Sequence, residues 1–167
     1  MVVEIISKKQ VFDWLNEVPD PEIPVISVVE LGVVRDLVFA DTSFIEVVIT
    51  PTYTGCPAML RFEQDIEAKL LEKGFEEVKI KTVFAPAWTT DWINEEAKEK
   101  LRKYGIAPPV KGTADKGVLF ASALKIVPCP KCGSAKTKLV SQFGATACKA
   151  MYSCNDCLEP FEYFKCI

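Results

Sequence analysis

Two Cys-x-x-Cys pairs stand near the end of this 167-residue chain, Cys129/Cys132 and Cys154/Cys157, with Gly133 to Ser153 between them. Pro130 and Gly133 flank the first pair, and Asn155 and Asp156 fill the second, so each pair sits on a tight turn. Such knuckles aim two thiolates at one point, and two knuckles face to face give tetrahedral sulfur coordination. Two disulfides, or four buried free thiols, are the alternatives; spacing and turn residues together favour a metal site. The chain has no histidine. That removes His-based triads, imidazole bases and imidazole ligands in one step. An all-cysteine site favours zinc or an iron–sulfur centre over magnesium or calcium, and the sequence does not choose between the two.

Cys56 is the second candidate. It follows Gly55, precedes Pro57 and lies just before an amphipathic stretch. Proline is common at the first helical position, which predicts Cys56 at the N-cap. There, free backbone amides and the helix dipole stabilise a thiolate. Thr52 and Thr54 offer hydroxyls nearby, and Gly55 lets a ligand approach the backbone closely. A small buried cysteine at a strand-to-helix corner accounts for the same residues equally well. A metal or cluster held at Cys56 needs further ligands from elsewhere in the chain, a second copy or a client.

Asp20 and Glu22 lie in the turn DPEIP, whose prolines can aim carboxylates at a cleft. Carboxylates so placed are more often solvated, or bound to backbone amides. Cys148 and Cys166 are additional to the four knuckle cysteines, as spare buried thiols or as members of another site.

The elements that must position these residues are legible in outline. Ser7 caps a first helix with Val11, Leu15 and Val18 on one face. Val33–Ala40 and Phe44–Thr50 read as paired strands around the turn at 40–43. Met59, Phe62, Ile66 and Leu70 recur at helical spacing, and Gly74 is placed to end that helix. Val78, Ile80, Thr82 and Phe84 alternate with lysines as a third strand. Thr90 or Asp91 is expected to cap a last helix with Ile93, Ala97, Leu101 and Tyr104 inward. The aromatic tail, Phe161, Tyr163 and Phe164, adds a strand to the ribbon or docks it. The predicted class is α+β, helices on a sheet followed by a small all-β ribbon. The expected domains are 1–105, a linker over 106–123 with two prolines and two glycines, and a ribbon over 124–167.

Composition narrows the function. With 49% hydrophobic residues the chain can bury a core, yet no run of about 18 apolar residues marks a membrane span. MVVEIISKKQ lacks the order of a signal peptide, and seven cysteines then predict a reducing compartment, the cytoplasm. From Leu124 onward six lysines face three acidic residues, a net of +3; the remaining 14 basic and 20 acidic residues give −6. A ribbon reading nucleic acid through Lys136, Lys138 and Lys149 is one alternative function. The acidic body and the lack of any arginine after Arg102 argue against it. A thiol enzyme using Cys56 is another, weakened by the absence of a histidine base or an adjacent resolving cysteine.

DPEIPVISVVELGVVRDL, PTYTGCPAM and FAPAWTTDWI resemble the SufT-type iron–sulfur assembly domain, a small sandwich of helices on a mostly antiparallel sheet. CPKCGS, FGATACKAMYSC and CLEPFEYFKC are similar to the C-terminal region of the PaaD family. The resemblance makes Cys56 the functional cysteine and matches Asp20 and Glu22 to the family's acidic turn. It implies a four-cysteine zinc ribbon and an accessory role beside the oxygenase and reductase subunits that epoxidise phenylacetyl-CoA. That role is assembly or maturation of their iron or iron–sulfur centres, with iron or a cluster held transiently. Whether two copies associate is left open.

Overall fold

The computed structural model describes residues 6–110 and 126–165. It divides into two compact units, Met1–Trp88 and Thr89–Ile167. The linker expected at 106–123 lies outside the described residues from 111 onward. Its first two residues form a strand, and the division falls before the last helix rather than after it.

In the first unit, α1 (Lys8–Leu15) begins at Ser7, whose Oγ accepts from the Gln10 amide at 3.2 Å. Val11 and Leu15 are fully buried. β1 (Val34–Val38) and β2 (Phe44–Ile49) pair antiparallel, with an irregularity between Val34 and Asp36. Leu37, Ile45, Val47 and Ile49 give the sheet its buried face. α2 (Met59–Glu72) buries Phe62, Ile66 and Leu70, while Met59 is half-buried. It stops where Gly74 turns left-handed at φ +100°: the Gly74 amide reaches Leu71 O and the Phe75 amide reaches Leu70 O. That is a Schellman ending, with Phe75 buried as its hydrophobic contact.

The chain then enters β3 (Glu77–Thr82), which lies beside β2 and parallel to it, giving the order β1-β2-β3. The parallel pair follows from its connection, since strands joined through a helix run the same way. Phe84, expected on the inner face of this strand, is 63% exposed, because β3 ends at Thr82.

In the second unit a 3₁₀ turn, Thr90–Trp92, precedes α3 (Glu95–Tyr104). The helix cap is Asn94, whose Oδ1 accepts from the Ala97 amide at 2.7 Å; Thr90 and Asp91 are used up in the 3₁₀ turn. Ala97 and Leu101 are buried as expected, but Tyr104 is 53% exposed on the last turn. Gly105, at φ +95°, ends the helix and sends the chain into β4 (Ile106–Ala107).

β5 (Thr137–Ser141), β6 (Lys149–Cys154) and β7 (Pro160–Phe164) complete a four-stranded sheet of order β4-β7-β6-β5. The aromatic tail is thus the ribbon's own strand, pairing antiparallel with β6 and parallel with β4. Phe161 and Tyr163 bury with Ala107, Val127, Ala150 and Tyr152 around the backs of Cys129 and Cys154. No helix among the described residues is long and apolar enough to cross a membrane.

Candidate metal centre and the Cys56 loop

The four knuckle cysteines converge. Cys129 and Cys132 precede β5, Cys154 ends β6, and Cys157 lies in the turn before β7. Their Sγ atoms all lie within 4.8 Å of one another, with Cys132–Cys154 at 3.5 Å and Cys129–Cys157 at 3.7 Å. A tetrahedron of 2.3 Å metal–sulfur bonds has edges of about 3.8 Å, so the thiolates fit one tetrahedral ion. Thiolates around a cubic iron–sulfur cluster bind different irons and stand farther apart.

The backbone explains the convergence. In the first knuckle the Gly133 amide donates to Cys129 O at 2.8 Å and the Cys129 amide to Ser134 O at 2.9 Å. In the second the Cys154 amide donates to Glu159 O at 3.0 Å, and the Cys157 amide points at Cys154 Sγ at 3.5 Å. The residue after each knuckle is left-handed: Gly133 at φ +75° and Leu158 at φ +63°. Leucine carries a steric cost in that conformation which glycine does not. The register Thr137↔Cys154 between β5 and β6 brings the two knuckles to one end of the sheet.

Electrostatics differ among the four. The backbone N–H groups of Cys157 and Asp156 donate to Cys154, with help from neighbouring sulfurs, and lower its thiol to about 6 against the pull of burial. Cys157 receives the Glu159 amide, which lowers it, yet burial and the sulfurs of Cys132, Cys154 and Cys129 push it up to about 12. The Ser134 amide lowers Cys132, but the Cys154 thiol and burial leave it above the ordinary range. Around this ring Lys131 pairs with Glu159 at 2.7 Å and Lys136 with Asp156 at 3.2 Å.

Cys56 lies elsewhere, in the loop between β2 and α2, half-buried and free. It is not the N-cap. Helical bonding begins at Ala58, whose carbonyl accepts from Phe62, and Cys56 sits two residues earlier. Its own carbonyl accepts from the Met59 amide at 3.2 Å, so Pro57 and Ala58 make a 3₁₀-like turn into the helix. Gly55 before it takes φ +81°, with open space where a side chain would stand. Thr52 is buried and Thr54 exposed.

The Asp20 side chain serves the backbone: its Oδ1 accepts from the Glu22 and Ile23 amides, both at 2.7 Å, in a loop closed by the Pro19–Ser27 bridge. Glu22 is half-buried beside it. Cys148 is buried, with Thr146 Oγ1 3.1 Å from its sulfur; Cys166 lies outside the described residues.

Three features escaped sequence reasoning. Thr50, at the end of β2, buries its hydroxyl without a hydrogen-bond partner. Ser27 and Glu30 cap one turn reciprocally: the Glu30 amide donates to Ser27 Oγ and the Ser27 amide to Glu30 Oε2, each at 3.0 Å. The spacing Ser-x-x-Glu signals that box. Buried Lys149 reaches Glu162 at 2.7 Å across β6 and β7, a pairing that no local pattern announces.

Two family models match the chain. Residues 8–82 match an iron–sulfur cluster assembly protein model, and residues 115–165 match the PaaD zinc beta ribbon domain. The chain is 42% identical over 158 residues to a putative 1,2-phenylacetyl-CoA epoxidase subunit of Escherichia coli, covering 95% of this chain and 92% of that one. It is 34% identical over 96 residues to an Fe-S protein maturation auxiliary factor of Porphyromonas gingivalis, covering 57% of this chain and 90% of that one.

Among solved structures, a DUF59 domain of Bacillus anthracis aligns with a TM-score of 0.52 at 25% identity, over 56% of this chain and 90% of that one. A conserved hypothetical protein of Thermotoga maritima aligns with a TM-score of 0.50 at 29% identity, over 60% and 98%. An assembly-type fold followed by a four-cysteine ribbon, with identity running through both, places the chain in a family: it belongs to the PaaD proteins, alongside its Escherichia coli relative.

Proposed function

We propose that this chain is an accessory protein of a phenylacetyl-CoA epoxidase, assisting assembly or maturation of iron or iron–sulfur centres in the partner oxygenase and reductase subunits. One relative is named as an epoxidase subunit and the other as a maturation factor. The chain itself lacks the histidines of a Glu-x-x-His di-iron site and the Gly-rich loop of a dinucleotide-binding reductase. Oxidation of the ring therefore belongs to partners. Free thiols suit the reducing cytoplasm.

The observation that carries this reading is the placement of Cys56. A free, half-buried thiol stands behind an open glycine, at the carboxyl end of the strand that pairs in parallel with β3. Ligands of open α/β sheets collect at the carboxyl ends of the strands. Here iron or a cluster is cargo, held transiently by the Cys56 thiolate. Cys56 is the only cysteine before Cys129, so further ligands come from elsewhere in the chain, the client or a second copy. Thr52 and Thr54 border the thiol in sequence, and Asp20 with Glu22 forms the acidic turn of the same unit.

The ribbon ligands Cys129, Cys132, Cys154 and Cys157 hold zinc. The sulfur separations support a single ion. When bound, zinc supplies cross-linking of the two knuckles, and the protein's part is to present four thiolates on a rigid sheet end.

The test is maturation of the partner oxygenase with Cys56→Ser in place of wild type. Loss of iron from the oxygenase, with the ribbon's metal retained, is expected; full maturation by the serine variant overturns the role of Cys56. Metal and acid-labile sulfide on anaerobically purified protein check the ribbon, with one zinc and no sulfide expected.

A further inference from the structure

The four thiolates of the ribbon are unequal in their access to solvent. Cys129 and Cys154 are each 2% exposed, backed by Val127, Ala150, Tyr152 and Phe161. Cys157 packs half-buried against the same cluster. Cys132 is exposed. The residue after it sharpens the difference: Gly133 has no side chain, and nothing lies within 4 Å of where one would begin. At the matching place after Cys157 stands Leu158. Of the four, Cys132 is the thiol with the most open approach.

We propose that Cys132 is a modification site, the ligand through which peroxides and alkylating electrophiles reach the metal centre, and that its oxidation joins it to Cys154 and releases the ion. The proposal rests on the reading of the four thiolates as one metal centre. Cys154 is the partner because its sulfur stands 3.5 Å from that of Cys132, so the pair closes by about 1.5 Å to reach disulfide length.

The chemistry balances with hydrogen peroxide as oxidant. The Cys132 sulfur attacks the O–O bond, an S–O bond forms, and the departing hydroxide takes a proton to become water. The sulfur has lost two electrons to the peroxide. The Cys154 thiolate then attacks that sulfur, forming the S–S bond and expelling the second oxygen as hydroxide, which is also protonated to water. Zinc leaves as the divalent ion, its oxidation state unchanged, because two of its four ligands are gone. A dithiol reductant reverses the bond and restores the site.

The experiment uses the wild-type, metal-loaded full chain, so no variant has to fold. One equivalent of hydrogen peroxide is added while a chromophoric indicator follows metal release, and non-reducing peptide mass spectrometry locates the disulfide. One ion released per Cys132–Cys154 disulfide is expected, with recovery of the site after dithiothreitol and added zinc. In a separate brief pulse of iodoacetamide, Cys132 should be alkylated about 10-fold faster than Cys129, Cys154 or Cys157. A loaded protein in which another of the four reacts first, or which keeps its ion once Cys132 is modified, overturns the proposal alone. A protein that carries no metal under anaerobic purification overturns the metal-centre reading beneath it.

Discussion

The turn around Asp20 allows a carboxylate aimed at a cleft or, more often, one that serves the backbone, and in the fold it acts as a clamp. One carboxylate oxygen accepts two amides at 2.7 Å, and the side chain is buried. Charge-assisted bonds of this kind contribute about 1.5–3 kcal/mol each, and stranded buried amides are costly. Asp20→Ala is therefore expected to destabilise the first unit by about 2–3 kcal/mol, read from the urea midpoint, while Asp20→Asn, which keeps the accepting oxygen, loses less than half of that. Equal loss in both variants would show that the charge, rather than the acceptor, matters. The reading of such carboxylates as backbone partners was available from the proline-rich turn alone. The position of Cys56 was legible only to within two residues. Pro57 is compatible with both a helix and a 3₁₀ turn, and the turn is what forms. The knuckle cysteines were legible in full, because their spacing carries the geometry.

At the scale of elements, the ribbon's last two long strands are locked by a pair that the sequence does not announce. Glu162 on β7 accepts from buried Lys149 on β6 at 2.7 Å and from the Ala145 amide at 3.0 Å, tying strand and loop together. Gly144 makes room: a Cβ there would come within 2.8 Å of the Glu162 carboxylate. Burial raises the Glu162 carboxyl, but Lys149 and the Ala145 amide outweigh it and hold it below its usual 4.5. A carboxylate depressed on folding contributes stability that is present above the unfolded value and lost as pH falls through the folded one. The ribbon should weaken below about pH 4.5, and Glu162→Gln should abolish that part of the acid dependence. At neutral pH the same substitution should cost about 3 kcal/mol, since it strands a buried ammonium. Acid also strips metal, but from both proteins, so the difference between their denaturation curves over pH 3–6 isolates Glu162. Element boundaries went astray for related reasons. Tyr104 continues a helical stripe onto the last, exposed residue of α3, and Phe84 continues a strand alternation past the point where β3 has ended.

At the scale of the whole molecule, the sequence divides the chain at its proline- and glycine-rich stretch, and the structure divides it at Trp88. Local composition could not reveal that Ile106 and Ala107 pair with Glu162 and Tyr163, a contact across more than 50 positions. That pairing ties α3 and β4 to the ribbon's compact unit. It also fixes what metal removal should do. The first unit has its own buried core of Val11, Leu15, Phe62, Ile66 and Leu70 and contains none of the four ligands. In the second, Cys129 and Cys154 are part of the core, so losing the ion loosens the cluster that holds β4, β6 and β7. For small metal-bound domains the binding free energy is folding free energy, on the order of 10 kcal/mol. Chelation of the full chain should therefore abolish amide exchange protection across β5, β6 and β7 and in β4, and reduce it in α3. Protection in α1, α2, β2 and β3 should persist. Hydrogen exchange with mass spectrometry distinguishes this from a ribbon that only decorates one continuous fold, where chelation would lower protection in both units together. A ribbon that kept its protection after chelation would mean that its aromatic core holds it, and that the metal serves the client rather than the fold.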